Sequence, residues 1–116
     1  MTRQAAEKRG RGAETIAAMW LRLFGWRILA RRARVRGGEV DIIARRGRTL
    51  AFIEVKARRS DEAAGVALDQ YRLRRVAVAA EILAPRFMRS GDDLRIDAIF
   101  IVPAKLPRHL PDVWRG

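Results

Sequence analysis

Apolar residues recur along this chain with two different spacings, and the switches between them mark its elements. Ala13, Ile16, Ala17, Trp20, Leu21 and Phe24 fall at helical intervals, and Gly25 supplies a stop. This predicts a first helix over residues 13–24, with Trp20 and Phe24 carried into the core rather than left as platforms for stacking bases. Residues 26–35 read as a first strand running into a basic loop, closed by the turn at Gly37-Gly38. Residues 39–44 and 50–57 are apolar, β-branched runs joined by Arg45-Arg46-Gly47-Arg48-Thr49, a connection of hairpin length. They are expected as adjacent antiparallel strands. Residues 60–65 read as a loop. Asp69 is placed to cap a second helix in which Leu73, Val76, Ala77, Ala80, Leu83 and Ala84 form one face before Pro85 ends it. Residues 94–102 alternate as a last strand.

The expected order is therefore αβββαβ, an α/β fold. Its second and third strands are apolar on both faces around their polar residues, which calls for a mixed sheet with helices packed on it. A chain of 116 residues has the length of one domain. We expect that domain over residues 13–102, after a flexible basic segment at 1–12 and before a Pro-rich surface tail at 103–116. No apolar run approaches the roughly 18 to 20 residues that a membrane span needs, and the basic start lacks the apolar stretch of a secretory signal. A cytoplasmic location and no membrane partner are expected.

Composition then narrows the chemistry. There is no cysteine, which excludes disulfides, thiolate zinc sites and thiol nucleophiles. His109 is the only histidine, so a two-histidine metal site cannot form. Metal chemistry would have to rest on carboxylates, which suit magnesium or manganese. The net charge is +12, with arginine far outnumbering lysine, and implies a polyanionic partner to whose phosphates arginine's planar fork is well matched. The basic residues are spread along the chain rather than gathered on one amphipathic helix, which argues against a membrane surface.

Against this background a few acids stand out. Between Thr15 and Ser60 the acidic residues are Glu39, Asp41 and Glu54, set in runs that otherwise read as buried strand. A buried carboxylate is costly unless it is paired or binds a metal. Glu39 and Asp41 share a strand face, as do Glu54 and Lys56, because side chains alternate with period two. If the hairpin register joins these faces, three carboxylates and an ammonium converge. Such a cluster suits metal-assisted phosphodiester hydrolysis, with Asp41, Glu54 and Lys56 as the catalytic group. A structural ion pair of Glu54 with Lys56 or an arginine is the alternative on the residues alone.

Several segments carry a resemblance: Gly12-Ala13-Glu14, Gly25-Trp26-Arg27-Ile28-Leu29, Gly38-Glu39-Val40-Asp41-Ile42-Ile43, Phe52-Ile53-Glu54-Val55-Lys56-Ala57-Arg58 and Arg95-Ile96-Asp97-Ala98-Ile99. In these the chain resembles the YraN family of small bacterial proteins, predicted endonucleases of the PD-(D/E)xK superfamily similar to archaeal Holliday junction resolvases. The resemblance implies a restriction-endonuclease-like fold in which Asp41, Glu54 and the Val55 carbonyl ligate Mg²⁺ or Mn²⁺. It also implies that Lys56 handles the water and that Glu14 reaches the same centre from the first helix. Glu39 and Gln70 are supporting candidates, whereas Asp97 is read as a structural bridge to Arg95 or Arg58. Arg32-Ala33 and the start of the second helix, Asp69-Gln70 with Arg72-Leu73, depart from the family pattern.

Arginines bracket the expected centre, and Arg32, Arg34, Arg36, Arg46, Arg58, Arg59 and Arg72 are the expected phosphate contacts. The expected partner is DNA or another structured nucleic acid, with branched DNA suggested by analogy alone and a homodimer expected if two strands are cut. Two other readings stay open: an accessory nucleic-acid-binding protein of the same fold with weak or absent cleavage, and a basic RNA-associated protein whose acids are only ion pairs.

Overall fold

Strong β-formers in the middle of the chain build a sheet, and two helices cover its two faces. The computed structural model describes residues 3–59 and 69–114, the side chains of 3–11 excepted. Its elements are α1 (Arg3–Leu23), β1 (Arg27–Val35), β2 (Gly38–Arg46), β3 (Thr49–Ala57), α2 (Gln70–Phe87), β4 (Asp93–Ile101) and β5 (Arg108–Leu110). The expected loop at 60–65 lies outside the described residues.

The sheet is mixed and runs in sequence order, β1-β2-β3-β4-β5. The first three strands form an antiparallel meander, with Ile42 opposite Ile53 and Arg46 opposite Thr49 across the expected hairpin. α2 then carries the chain across one face so that β4 returns parallel to β3, with Ile53 level with Asp97. Ala17, Ala18, Leu21 and Trp26 close one face of the sheet over Ile42, Ile53 and Ile99. Leu73, Val76, Ala80 and Leu83 of α2 close the other over Val40, Ile43, Phe52 and Ile96. Gly38 is needed for that second contact, because a Cβ there would collide with the Arg75 carbonyl oxygen and stand 2.9 Å from the Ala79 nitrogen. Among the described residues no helix is long and apolar enough to cross a membrane.

Four details differ from expectation. α1 begins at Arg3 rather than Ala13, extending into the segment read as a flexible lead-in. Residues 4–9 consist of good helix formers, and they let the helix continue upstream. The buried face of α1 is also rotated: Ala13, Glu14, Ala17, Ala18 and Leu21 face the sheet, while Ile16 and Phe24 are about half exposed at 47% and 52%. Small alanines allow close approach, so the bulky residues are turned outward.

α2 runs through Pro85 to Phe87. In the last turn proline costs one internal hydrogen bond, and the end is secured by Met88 N–H donating to the Ala84 carbonyl and by Arg45 donating to the Phe87 carbonyl at 2.6 Å. Finally, the tail does not merely lie on the surface. Its β5 pairs antiparallel with β4, Val113 N–H bonds the Ile96 carbonyl at 2.8 Å, and Trp114 packs against the α2-side core.

Candidate functional site

At the end of the sheet away from the β2–β3 turn, regular pairing gives way. The β2–β3 register runs from Ile42–Ile53 to the turn, and just beyond it Asp41 turns its carboxylate to the backbone. Val55 N–H donates to Asp41 Oδ2 at 2.7 Å. Val40 and Ile43, three positions apart, both pack on the α2 side, so strand alternation is broken across Asp41. Such irregularities re-aim a side chain, and here the one re-aimed is the lone aspartate of the strand.

Glu54 follows directly on β3. It is 1% exposed, and its Oε1 receives Arg72 at 3.1 Å and Lys56 Nζ at 3.3 Å. Among the described residues its Oε2 is buried without a hydrogen-bond partner. A buried carboxylate oxygen with no donor is an expensive arrangement unless something else is meant to meet it. Asp41 feels this neighbour. Burial and then the Glu54 charge push its pKa from 3.8 up to about 7, aided by Glu14 and opposed by the Val55 hydrogen bond and Arg72.

Glu14 reaches the same region from α1, nearly buried, and is held by Arg31 Nε at 3.3 Å and Arg32 Nε at 3.1 Å. Consecutive strand residues ordinarily point to opposite faces. Arg32 breaks that rule with a left-handed backbone, φ 53°, and so both arginines reach one carboxylate. A non-glycine residue in that region costs on the order of 1 kcal/mol, a strain found most often where geometry serves a site.

α2 completes the surround. Asp69 caps it as expected, accepting from Tyr71 N–H at 3.0 Å and Arg72 N–H at 3.2 Å. Arg72 and Arg75, one helical turn apart, then face β2 and β3. Arg75 forks onto Glu39 Oε2 at 2.9 and 2.6 Å, which holds the Glu39 pKa below its ordinary value against the opposing effect of burial. Arg72 spans Glu54 and, at 3.7 Å, Glu39. Although burial alone would lower the Arg72 pKa, Glu54, Asp41 and Glu39 raise it.

The structure thus brings together Asp41, Glu54, Lys56, the Val55 backbone and, through charge, Glu14. Glu39 belongs to the rim and joins the centre through Arg72. Gln70 is exposed at the start of α2. Among the described residues no group of three or more His, Cys, Asp or Glu side chains stands together as a formed metal site. The acidic centre is a pair, Asp41 and Glu54, flanked by an arginine-bound Glu14. Its donors are all oxygens and one acceptor is left open, a set that fits a hard divalent cation.

The expected phosphate contacts divide into two kinds. Arg34, Arg36 and Arg59 are exposed, whereas Arg32 and Arg72 are committed to carboxylates of the centre. Arg46 donates to the Phe24 carbonyl at 3.2 Å and lies 4.6 Å over Trp26; Arg58 donates to the Ala57 carbonyl at 2.9 Å. The clamping roles of Arg31, Arg32 and Arg75 escaped sequence reasoning, and Arg72 is the arginine that the ion-pair alternative left unidentified for Glu54. The spacing of Arg72 and Arg75 beside the buried Leu73 and Val76 was the signal available for the two on α2.

Another buried acid sits on the face away from Glu54. Asp97 is fully buried, forked by Arg95 at 2.9 and 2.9 Å, and meets His109 Nε2 at 2.7 Å and Asp112 N–H at 2.9 Å. Burial pushes its pKa up, but His109, Arg95 and the Asp112 amide together hold it below the ordinary value. Asp97 is thereby the structural bridge expected with Arg95, and it also ties the tail to β4.

Relatives match nearly the whole length of the chain. A "UPF0102 protein" of Sphingopyxis alaskensis is 63% identical over 99% of both chains, and one of Rhizorhabdus wittichii is 55% identical over 98% of this chain and 97% of its own. A third, of Erythrobacter litoralis, is 47% identical over 99% of both. The model of the family described as "Uncharacterised protein family UPF0102" matches residues 13–101, which hold both Asp41 and Glu54, and this chain belongs to that family.

Proposed function

We propose that this protein is a magnesium- or manganese-dependent endonuclease acting on DNA, with Asp41, Glu54 and Lys56 at its centre. The observation that carries the reading is Glu54: a buried carboxylate with one oxygen open, beside an Asp41 whose pKa it helps push up to about 7. Two acids that repel each other inside a strongly basic protein are better explained by a shared cation than by stability.

Asp41, Glu54 and the Val55 carbonyl are the groups that would hold the ion, with Glu14 beside them. Bound there, a divalent cation supplies neutralisation of charge building on a phosphodiester and acidification of a water molecule. The chain's own residues do the rest. Val55 N–H fixes the Asp41 carboxylate, Arg72 fixes Glu54, and Arg31 with Arg32 fixes Glu14. Lys56, largely buried and 3.3 Å from Glu54, would orient the attacking water or help deprotonate it. Exposed Arg34, Arg36 and Arg59 hold the phosphate backbone without reading sequence. A branched substrate, a dimer cutting two strands and a cytoplasmic location complete this reading.

One observation favours a second reading, an accessory nucleic-acid-binding protein that cleaves weakly. Arg72 and Lys56 both lie on Glu54 Oε1, a resident pair of positive charges that neutralises the centre with no metal. The readings separate in one assay, with junction, flap, single-stranded and duplex DNA supplied with Mg²⁺ or Mn²⁺. Cleavage that falls at least about 100-fold in Asp41→Ala and Lys56→Ala supports the endonuclease. Equal cleavage by native and substituted proteins, or none by either, rejects it.

A further inference from the structure

The end of the first helix and the turn after it leave two aromatic rings where a core helix would hide them. Phe24 is 52% exposed and Trp20 is half-buried, their ring centroids 4.7 Å apart and tilted by 54°. They form one wall of a surface pocket of about 320 Å³, whose other walls are Trp26, Arg46, His109 and Pro107. This pocket lies by the β2–β3 turn, at the opposite end of the sheet from Asp41 and Glu54. Arg46 lies five steps along β2 from Asp41, a span of roughly 17 Å.

We propose that this pocket takes one unpaired nucleotide of a nucleic-acid strand, with its base on Phe24 and Trp20 and its phosphate on Arg46. The volume sits at the small end of ligand pockets, enough for a single nucleotide and too small for a peptide segment or a duplex edge. The chemistry of the walls is equally selective. Exposed aromatic rings offer stacking to any base, and a guanidinium offers forked donors to phosphate. Arg46 is pre-set for that task, since its hydrogen bond to the Phe24 carbonyl and its stacking over Trp26 fix the guanidinium beside the aromatic wall and leave further N–H donors available. His109 is fixed in turn by Asp97 and meets Trp26 edge-on at 6.0 Å. The surrounding charge suits a polyanion, for Arg22, Arg27 and Arg48 are all exposed at this end of the molecule.

The proposal deepens the nuclease reading by naming its substrate class: strands that offer an unpaired nucleotide to this pocket while the phosphodiester to be cut lies at the Asp41–Glu54 end. A duplex would have to flip a base to fill the pocket, which costs unstacking energy. Single-stranded and branched substrates fill it freely.

Binding is measured in the presence of a chelator, so that no cleavage intervenes. The probes are an oligothymidylate of about ten residues and a duplex of equal length, followed by tryptophan fluorescence and by anisotropy. The native protein is expected to show fluorescence quenching with the single strand. Phe24→Ala, a change at an exposed position, should weaken single-strand binding roughly 5- to 150-fold while leaving duplex binding within about twofold. Arg46→Gln should weaken the single strand more than the duplex. Single-strand affinity unchanged in Phe24→Ala, or equal losses for both probes, overturns the proposal. So does a shift from dimer to monomer in Phe24→Ala with unchanged oligonucleotide affinity, which would assign the rings to a second copy of the chain. Because metal is absent, failure here is distinct from failure of the cleavage assay: an active nuclease without the pocket keeps metal-stimulated cleavage, and a pocket without nuclease keeps its selective binding.

Discussion

Asp41 concentrates the tension in this molecule. Its carboxyl has one backbone donor and two acidic neighbours, and burial pushes its pKa to about 7. A carboxyl whose folded pKa is raised binds protons in the native state that the unfolded chain has already released. Its contribution to stability is therefore fully present below about pH 4 and is lost as pH rises through 7. In metal-free protein, Asp41→Asn should remove that loss and raise stability at pH 8 by on the order of 3 kcal/mol, with little change at pH 4; urea denaturation at the two values measures it. Added Mn²⁺ should stabilise native protein more at pH 8 than at pH 6, because the ion competes with the proton, and should do little for Asp41→Asn. At this scale the sequence was informative about the acids, which stood alone in apolar runs, and offered Lys56 or an arginine as the partner of Glu54 without identifying the arginine or the groups that hold Glu14. Arg31 and Arg32 could not be paired with one carboxylate by any alternation rule, since it takes a left-handed residue to bring them there.

Among the elements, α2 does the positioning, and its seat depends on one missing atom. Gly38 at the start of β2 leaves space for the Arg75 carbonyl and the Ala79 backbone, so the helix can rest low enough for Arg72 and Arg75 to reach Glu54 and Glu39. Gly38→Ala must displace backbone rather than a flexible side chain. We expect a loss of about 1 to 3 kcal/mol, read as a lower thermal midpoint, together with weaker response of stability to Mn²⁺ as the arginine clamps shift. Hydrophobic period and caps made α2, the β2–β3 hairpin and β4 readable in advance: Asp69 caps where it should, and the hairpin register falls on the expected turn. The rotated face of α1 was not readable. Ile16 and Phe24 fit the helical spacing as well as Ala18 does, and only the close approach permitted by alanines, with the pull of Arg31 and Arg32 on Glu14, decides which side turns inward. β5 was hidden for a related reason. Its three residues carry no pattern of their own, and what docks them is the distant Asp97.

For the molecule as a whole, charge rather than shape would govern an encounter with the proposed nucleic-acid partner. The net charge of +12 is not neutralised by the internal ion pairs, because these use the acids already counted in it. Arg34, Arg36, Arg46, Arg48 and Arg59 remain at the surface around the two ends of the sheet. Arg72 and Arg32, by contrast, are tied to Glu54 and Glu14 and should contribute little to the first contact. Each phosphate engaged by a free arginine releases condensed counterions, steepening the log-log dependence of affinity on salt by about 0.9 on duplex DNA. Replacing Arg34 or Arg36 with glutamine should therefore flatten that slope by about one and weaken binding alike for every sequence tested, while Arg72→Gln should leave the slope nearly unchanged and disturb the Glu54 centre instead. Anisotropy titrations on a single duplex across a range of salt concentrations distinguish these outcomes. A slope near zero for the native protein would mean that the positive surface serves solubility and that another ligand must account for the buried acids.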